Sequence, residues 1–368
     1  MAGFPGLTDV HAHPAMNAWL WGRDLRRHYM NGSTFNPLAS LTDFKQLERG
    51  GVGVQWSALH VPERELLQCL VLRLASLVFP AGRKLRRLSP WECLLDQLGE
   101  MERQVARADG FALARSNAEL DAVRARGDVA IVHTVEGGHV LGEVDPVARV
   151  HELAGRGVAS ITLTHLFPRA LAGHTHGIPR SPVMRFVCPL DDRVDERRGL
   201  TALGREVVTA MADARMLPDV AHCTVAARRD VYALIGDRCP VLMTHTGVRT
   251  LNDVPYTACE GYVRAIAASG GLVGVIFMPY WLSAQDPRDG RAVLEQTFTQ
   301  LHDWSGGTWD HVALGTDFDG FTDPPDDFAG SHTLGSVRPL LEGMGLARED
   351  VEKVLGGNAR RVLRDGWR

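Results

Sequence analysis

Fifteen histidines are spread over a chain of 368 residues, and several stand beside Asp, Glu or Thr where an apolar run ends. The segments are Asp9-Val-His11-Ala-His13, Glu136-Gly-Gly-His139, Thr164-His165, Asp219-Val-Ala-His222, Thr244-His245 and Asp317-Phe-Asp319-Gly320. Imidazole and carboxylate are the ligands of Zn²⁺ and similar divalent ions. Two histidines two residues apart in extended chain share a face, so His11 and His13 can reach one ion. A lone histidine such as His139 or His151 reads as an ordinary core or surface residue, and only the joint pattern points to a metal centre. His28, His60, His174 and His176 fall in loops or helical stretches and are expected at the surface.

The elements that must position these groups alternate in type. Apolar runs predict strands over 7–11, 52–58, 129–134, 159–164, 217–222, 241–244, 271–277 and 311–317. Helical spacing over 200–215 gathers Leu203, Val207, Val208 and Met211 on one face, and 259–269 does so with Val263, Ile266 and Ala267. Eight strand–helix pairs predict an α/β fold, a (β/α)8 TIM-type barrel, in which chemistry sits at the C-terminal ends of the strands. Two segments, 14–49 and 60–109, exceed what a minimal barrel needs and predict extra helices after the first and second strands. The run 92–107 is amphipathic. The run 66–79 is apolar nearly all round, which predicts a buried barrel-covering or subunit-contact helix and allows a homo-oligomer. With no Pro-, Gly- or Ser-rich linker, residues 1–368 read as one domain.

Composition narrows the function. With 45% hydrophobic and 23% charged residues, a formal net charge of −4 and no block of like charges, neither a nucleic-acid binder nor a disordered chain is expected. No secretory signal and no membrane-spanning stretch are read, so no membrane partner is expected. Six scattered cysteines without a CxxC pair predict reduced thiols and a cytoplasmic location.

In order along the chain, Gly51-Val-Gly-Val-Gln55-Trp-Ser57, Val135-Glu136-Gly-Gly-His139, Ile161-Thr-Leu-Thr-His165, Gly199-Leu-Thr-Ala-Leu-Gly204, Asp219-Val-Ala-His222, Leu314-Gly-Thr-Asp317-Phe-Asp-Gly320 and Leu355-Gly-Gly-Asn358-Ala-Arg-Arg-Val-Leu363 resemble the membrane (renal) dipeptidase family of metallopeptidases, in the amidohydrolase superfamily. The resemblance implies the same barrel and a site for two divalent ions, zinc by family habit. It implies Glu136 as the bridging ligand, His11 and His13 on the first ion, and His222 and His245 on the second. His165 matches the histidine that contacts substrate, and Asp317 the acid–base carboxylate. Two cations sharing a carboxylate acidify water and polarise a carbonyl, and a carboxylate at the position of Asp317 can shuttle the proton. For Asp319 a turn-capping role is expected.

Two positions depart from the family pattern. Members usually carry His-x-Asp on the first strand, whereas this chain has His13, which removes a negative charge from the first metal position. Peptidase members place an arginine shortly after the sixth-strand histidine to clamp the substrate carboxylate. Ungapped counting puts Tyr256 there, and alignment on Val254-Pro255 puts Asn252 there, so these two are the candidate substrate-binding residues beside His165. Arg169, Arg180 and Arg249 are the cations available to replace the clamp. The expected function is metal-dependent hydrolysis of a dipeptide or other small amide. The alternatives are an amidohydrolase acting on a non-dipeptide amide, lactam or lactone, and a catalytically inactive metal-binding scaffold.

Overall fold

The computed structural model describes residues 6–29, 39–69, 73–74, 76–78, 80–167, 170–175, 194–285, 287–320 and 323–368. Among the described residues there are nine parallel strands: β1 (Leu7–Ala12), β2 (Val52–His60), β3 (Phe111–Ala114), β4 (Val129–Glu136), β5 (Ser160–Thr162), β6 (Leu217–Asp219), β7 (Leu242–Thr246), β8 (Leu272–Val275) and β9 (Val312–Leu314). They hydrogen-bond in the order β2-β1-β9-β8-β7-β6-β5-β4, and a β2–β4 pairing closes the ring. The result is the expected eight-stranded barrel. Every residue of β1, β2 and β4 is buried, since one face fills the barrel and the other meets the helices.

β3 is the strand that periodicity misses. It lies outside the ring, pairing Phe111–Ala114 with Val129–Val132, while β5 takes the other half of the same β4 edge at Thr134–Glu136. Phe-Ala-Leu-Ala contains no β-branched residue, so only the exposed edge of β4 makes it a strand.

Extra helices follow the first two barrel strands as expected. Pro14–Trp21 and Phe44–Arg49 come after β1, and Gly82–Arg87 and Pro90–Ala106 after β2. Ser89 starts the last of these with a reciprocal capping box to Glu92. Trp19 Nε1 donates to Asp96 at 2.6 Å and ties the first of these helices to the last. At the opposite end, Asn358 Nδ2 donates to the carbonyls of Trp309 and Val312, seating the C-terminal helix against β9.

Three expectations fail. In the run 66–79, Arg64–Gln68 is a short 3-10 turn, and Leu74, Leu77 and Val78 are exposed rather than buried. A one-turn element cannot present the continuous apolar cylinder that burial of a long helix would require; residues 70–72, 75 and 79 lie outside the described set. Cys69 is disulfide-bonded, which overturns the expectation of reduced thiols throughout and removes the argument for a cytoplasmic location built on it. His60 and His174, expected at the surface, are both buried, because each lies against the barrel mouth rather than on an outer loop. His28 is exposed as expected, and His176 lies outside the described residues. Among the described residues no helix is long and apolar enough to cross a membrane.

Candidate metal centre

The site is organised around one carboxylate. Glu136 ends β4 and is 3% exposed, and the chain leaves it through Gly137, whose φ of 95° suits glycine. Around its Oε1 stand His11 Nε2 at 3.3 Å, His222 Nε2 at 3.3 Å and His245 Nε2 at 3.6 Å. Around its Oε2 stand His13 Nε2 at 3.4 Å, His60 Nδ1 at 3.4 Å and His165 Nε2 at 3.6 Å. Asp317 closes the group, with Oδ1 3.1 Å from His13 Nε2 and 3.8 Å from His11 Nε2. The structure therefore brings His11, His13, Glu136, His165, His222, His245 and Asp317 into one volume.

Backbone irregularities aim these side chains. The β1 register shifts between Asp9 and Ala12, around His11, and the β7 register shifts between Met243 and Thr246, around His245. Consecutive residues of a regular strand face opposite ways, whereas Thr244 and His245 both turn to the site; the irregularity supplies the rotation. His222 and Asp317 each lie three residues beyond their strand in the left-handed region, with φ of 60°. Non-glycine residues there are uncommon and cluster at functional sites.

Hydrogen bonds fix the ring tautomers. Thr244 Oγ1 lies 2.6 Å from Asp219 Oδ2, which can only accept, so the hydroxyl gives its one proton there. Its lone pairs then accept Nδ1–H from His11 at 3.2 Å and His245 at 3.1 Å. Both rings are left with Nε2 lone pairs directed at the centre. That is the ligand tautomer. His11 Nε2 is buried without a hydrogen-bond partner, and the Nε2 atoms of His222 and His245 face each other at 2.9 Å. Nitrogen lone pairs converging on a buried carboxylate are the donor set of a divalent cation, so the residues fit the metal implied by the sequence. Asp9 and Asp219, one strand position below, accept backbone and threonine hydrogens and brace β1, β7 and the Thr316 turn.

Without an ion, the carboxylates draw a proton onto the His11 Nε2 that would otherwise turn its lone pair to a cation. Burial would lower the affinity of His11 for a proton, but Glu136 and then Asp317 outweigh it and raise the pKa to about 9. His165 is raised to about 9 against burial by Glu63 and Glu136. Burial, then neighbouring His11 and His222, holds His245 well below the usual histidine range. Burial opposes ionisation of Glu136, yet His165, His11 and His13 hold its carboxyl well below the usual carboxylate range. The site is a sink for positive charge.

Sequence reasoning misses two residues here. His60 donates Nδ1–H to the Glu136 carbonyl at 3.2 Å, and Glu63, 2% exposed, accepts from His165 Nδ1 at 2.9 Å and Leu166 N–H at 3.1 Å. The signal for His60 is the same as for the others, a histidine ending a strand. Predicted to stop at residue 58, that strand runs to His60 and places the residue at the mouth. Asp319, expected to cap its own turn, instead accepts from Asn17 Nδ2, Leu41 N–H and Thr42 N–H and ties the segment after the first helix to the barrel mouth.

The two clamp candidates have different surroundings. Asn252 donates Nδ2 hydrogens to the carbonyls of Tyr280 and Trp281 and braces its own loop. Tyr256 packs tilted against Trp281 with ring centroids 4.3 Å apart, and Trp281 in turn lies 5.5 Å from the His222 ring and 5.8 Å from the His245 ring. Arg249 reaches Val254 O and Asp253, within its own loop. Arg169 and Arg180 lie outside the described residues.

The profile of the family described as Membrane dipeptidase (Peptidase family M19) matches residues 7–366. Dipeptidase ataJ of Aspergillus terreus is 25% identical over 367 residues, covering 92% of this chain and 81% of the relative. An uncharacterised protein of the pqqA 5′ region of Klebsiella pneumoniae is 29% identical over 283 residues, 76% of this chain and 97% of that one. A metallopeptidase from Rhodobacter sphaeroides, solved with a phosphinate mimic of the dipeptide L-Ala-D-Ala, superposes with a TM-score of 0.74 at 20% identity, covering 98% and 99% of the two chains.

Proposed function

The chain belongs to the membrane dipeptidase family, Peptidase family M19, and from that premise we propose that it hydrolyses the amide bond of a dipeptide or a closely related small amide with two divalent ions, zinc being the best match to the donors. The observation that carries this reading is the convergence of six imidazoles and Asp317 on Glu136. His11 and His13 would hold one ion and His222 and His245 the other, with Glu136 between them. When bound, such ions supply Lewis-acid polarisation of the scissile carbonyl and acidify water at the site.

The chain's own groups do the rest. Asp317 stands at the edge of the cluster, where its carboxylate takes a proton from water and returns it to the leaving amine. His165, its Nδ1 held by Glu63, presents Nε2 towards the centre, where an N–H would bind the carbonyl oxygen as charge develops on it. Burial of the cluster keeps bulk water away and strengthens each of these interactions.

The substrate end differs from an arginine clamp. Tyr256 backed by Trp281 offers an aromatic wall, and Asn252 is held by loop carbonyls. Neutral hydrogen bonds to a carboxylate are roughly half as strong as charge-assisted ones. A substrate without a free C-terminal carboxylate is therefore favoured here over a free dipeptide. The test is kcat/KM of the metal-loaded protein on a dipeptide panel and the matching C-terminal amides. No hydrolysis of either set by metal-replete protein would remove the dipeptidase-like reading. Strong preference for the free acids, lost on substituting Arg169, Arg180 or Arg249, would restore ordinary dipeptide specificity.

A further inference from the structure

Beside the cluster assigned to the two ions lies a second group, which shares with it His165, whose Nε2 faces the centre. His60, Glu63 and His165 offer ligand atoms within 4.8 Å of one another. Glu63 Oε1 is engaged by His165 Nδ1 and the Leu166 amide, but Glu63 Oε2 is buried with no hydrogen-bond partner. Among its neighbours is His60 Nε2, at 3.7 Å. Because the Glu136 carbonyl can only accept, His60 carries its proton on Nδ1, and Nε2 turns a lone pair towards Glu63. Two acceptors thus confront each other in a buried space, too far apart for a hydrogen bond and with no proton to share.

We propose that His60, Glu63 and His165 form a third divalent-cation site adjoining the two-ion centre. Two bonds of about 2.1 Å to one ion span at most roughly 4.2 Å, which accommodates the 3.7 Å gap between His60 Nε2 and Glu63 Oε2. Two imidazoles and one carboxylate form a recurring set for Zn²⁺-type ions, with positions left for water or substrate. His165 would bind through Nδ1, giving up the proton now directed at Glu63, and keep Nε2–H facing the centre. That arrangement leaves its substrate contact intact. The His60 and His165 rings lie 4.4 Å apart, and Gln97 fixes the His60 backbone by donating to its carbonyl at 3.1 Å. A cavity of about 240 Å³, lined by Pro62, Glu63, Arg64, Pro90, Gly138 and His139 among others, borders Glu63.

The count of three includes the two ions of the proposed function, so metal stoichiometry separates the two readings. The full chain is stripped with chelator, reloaded with Zn²⁺, freed of excess by gel filtration and analysed for metal per chain. Three ions are expected in the unaltered protein, and two in both Glu63→Gln and His60→Gln. A plateau at two in the unaltered protein overturns the third site and leaves the two-ion reading standing. A plateau below two overturns both. Three ions in the unaltered protein and in both variants would place the third elsewhere and also overturn the proposal. If the variants do not fold, anomalous scattering from Zn²⁺-loaded crystals of the unaltered protein decides the matter: a peak between His60, Glu63 and His165 is expected, and its absence refutes the site.

Discussion

The barrel buries histidine in two places and treats it in two ways. At the mouth, His11 and His245 are each fixed through Nδ1 by Thr244 and aimed through Nε2 at Glu136. On the wall, His133 sits three residues before Glu136 on the same strand, is 2% exposed, and has neither ring nitrogen hydrogen-bonded. It points outward, because residues an odd number apart on a strand face opposite sides. The difference teaches that burial alone does not make a ligand. A ligand needs a shared carboxylate to face and a second group that fixes its tautomer.

The sharpest break in this comparison is to remove the focus. Glu136→Ala is expected to abolish tight metal binding and bring turnover to background, measured by metal analysis and amide hydrolysis on the same sample. A variant with full metal content would show that the histidines hold their ions without it. Next comes Asp317→Asn, which should keep its metal and lose about 10²–10⁴-fold in kcat, the usual worth of acid–base assistance. Near-normal turnover at full metal load removes Asp317 from the chemistry.

Thr244→Val tests the tautomer argument alone. It touches no ion, yet metal affinity should fall by about 10–100-fold, as for other groups that orient a ligand from behind. An unchanged affinity, read by competition with a chelator, would mean that the rings are oriented by something other than the hydroxyl.

The smallest effect on chemistry is expected at the wall. Burial holds the His133 pKa down to about 4, below the ordinary 6.5. The unfolded chain therefore takes up a proton that the folded one refuses. Stability is fully present above about pH 6.5 and falls as pH drops towards 4, by on the order of 3 kcal/mol in all. His133→Leu should flatten that part of the profile in urea titrations between pH 4 and 7 while leaving kcat within about twofold. A profile as steep as that of the unaltered protein would assign the acid sensitivity to other groups.

Much of the fold and most of the cluster are legible in residue order alone. Strand periodicity and histidines at strand ends are enough to read them, because a parallel barrel must place strand ends together at one mouth. His60 escapes because its strand runs two residues beyond the apolar run, and β3 because Phe-Ala-Leu-Ala has no strand pattern of its own. Glu63 carries no local signal at all. A glutamate after Val61-Pro62 reads as solvent-facing, and only the approach of His165, 102 residues later in the chain, buries it.

The sequence by itself determined which groups are present and on which strand ends, since residue type and period are local properties. Tertiary structure alone decided their aim. The register shifts around His11 and His245 depend on neighbouring strands, and the left-handed turns at His222 and Asp317 are held by surrounding contacts. The Thr244–Asp219 bond that sets the tautomers joins residues 25 apart. A bond across that distance forms only once the barrel has closed, so no local pattern encodes it.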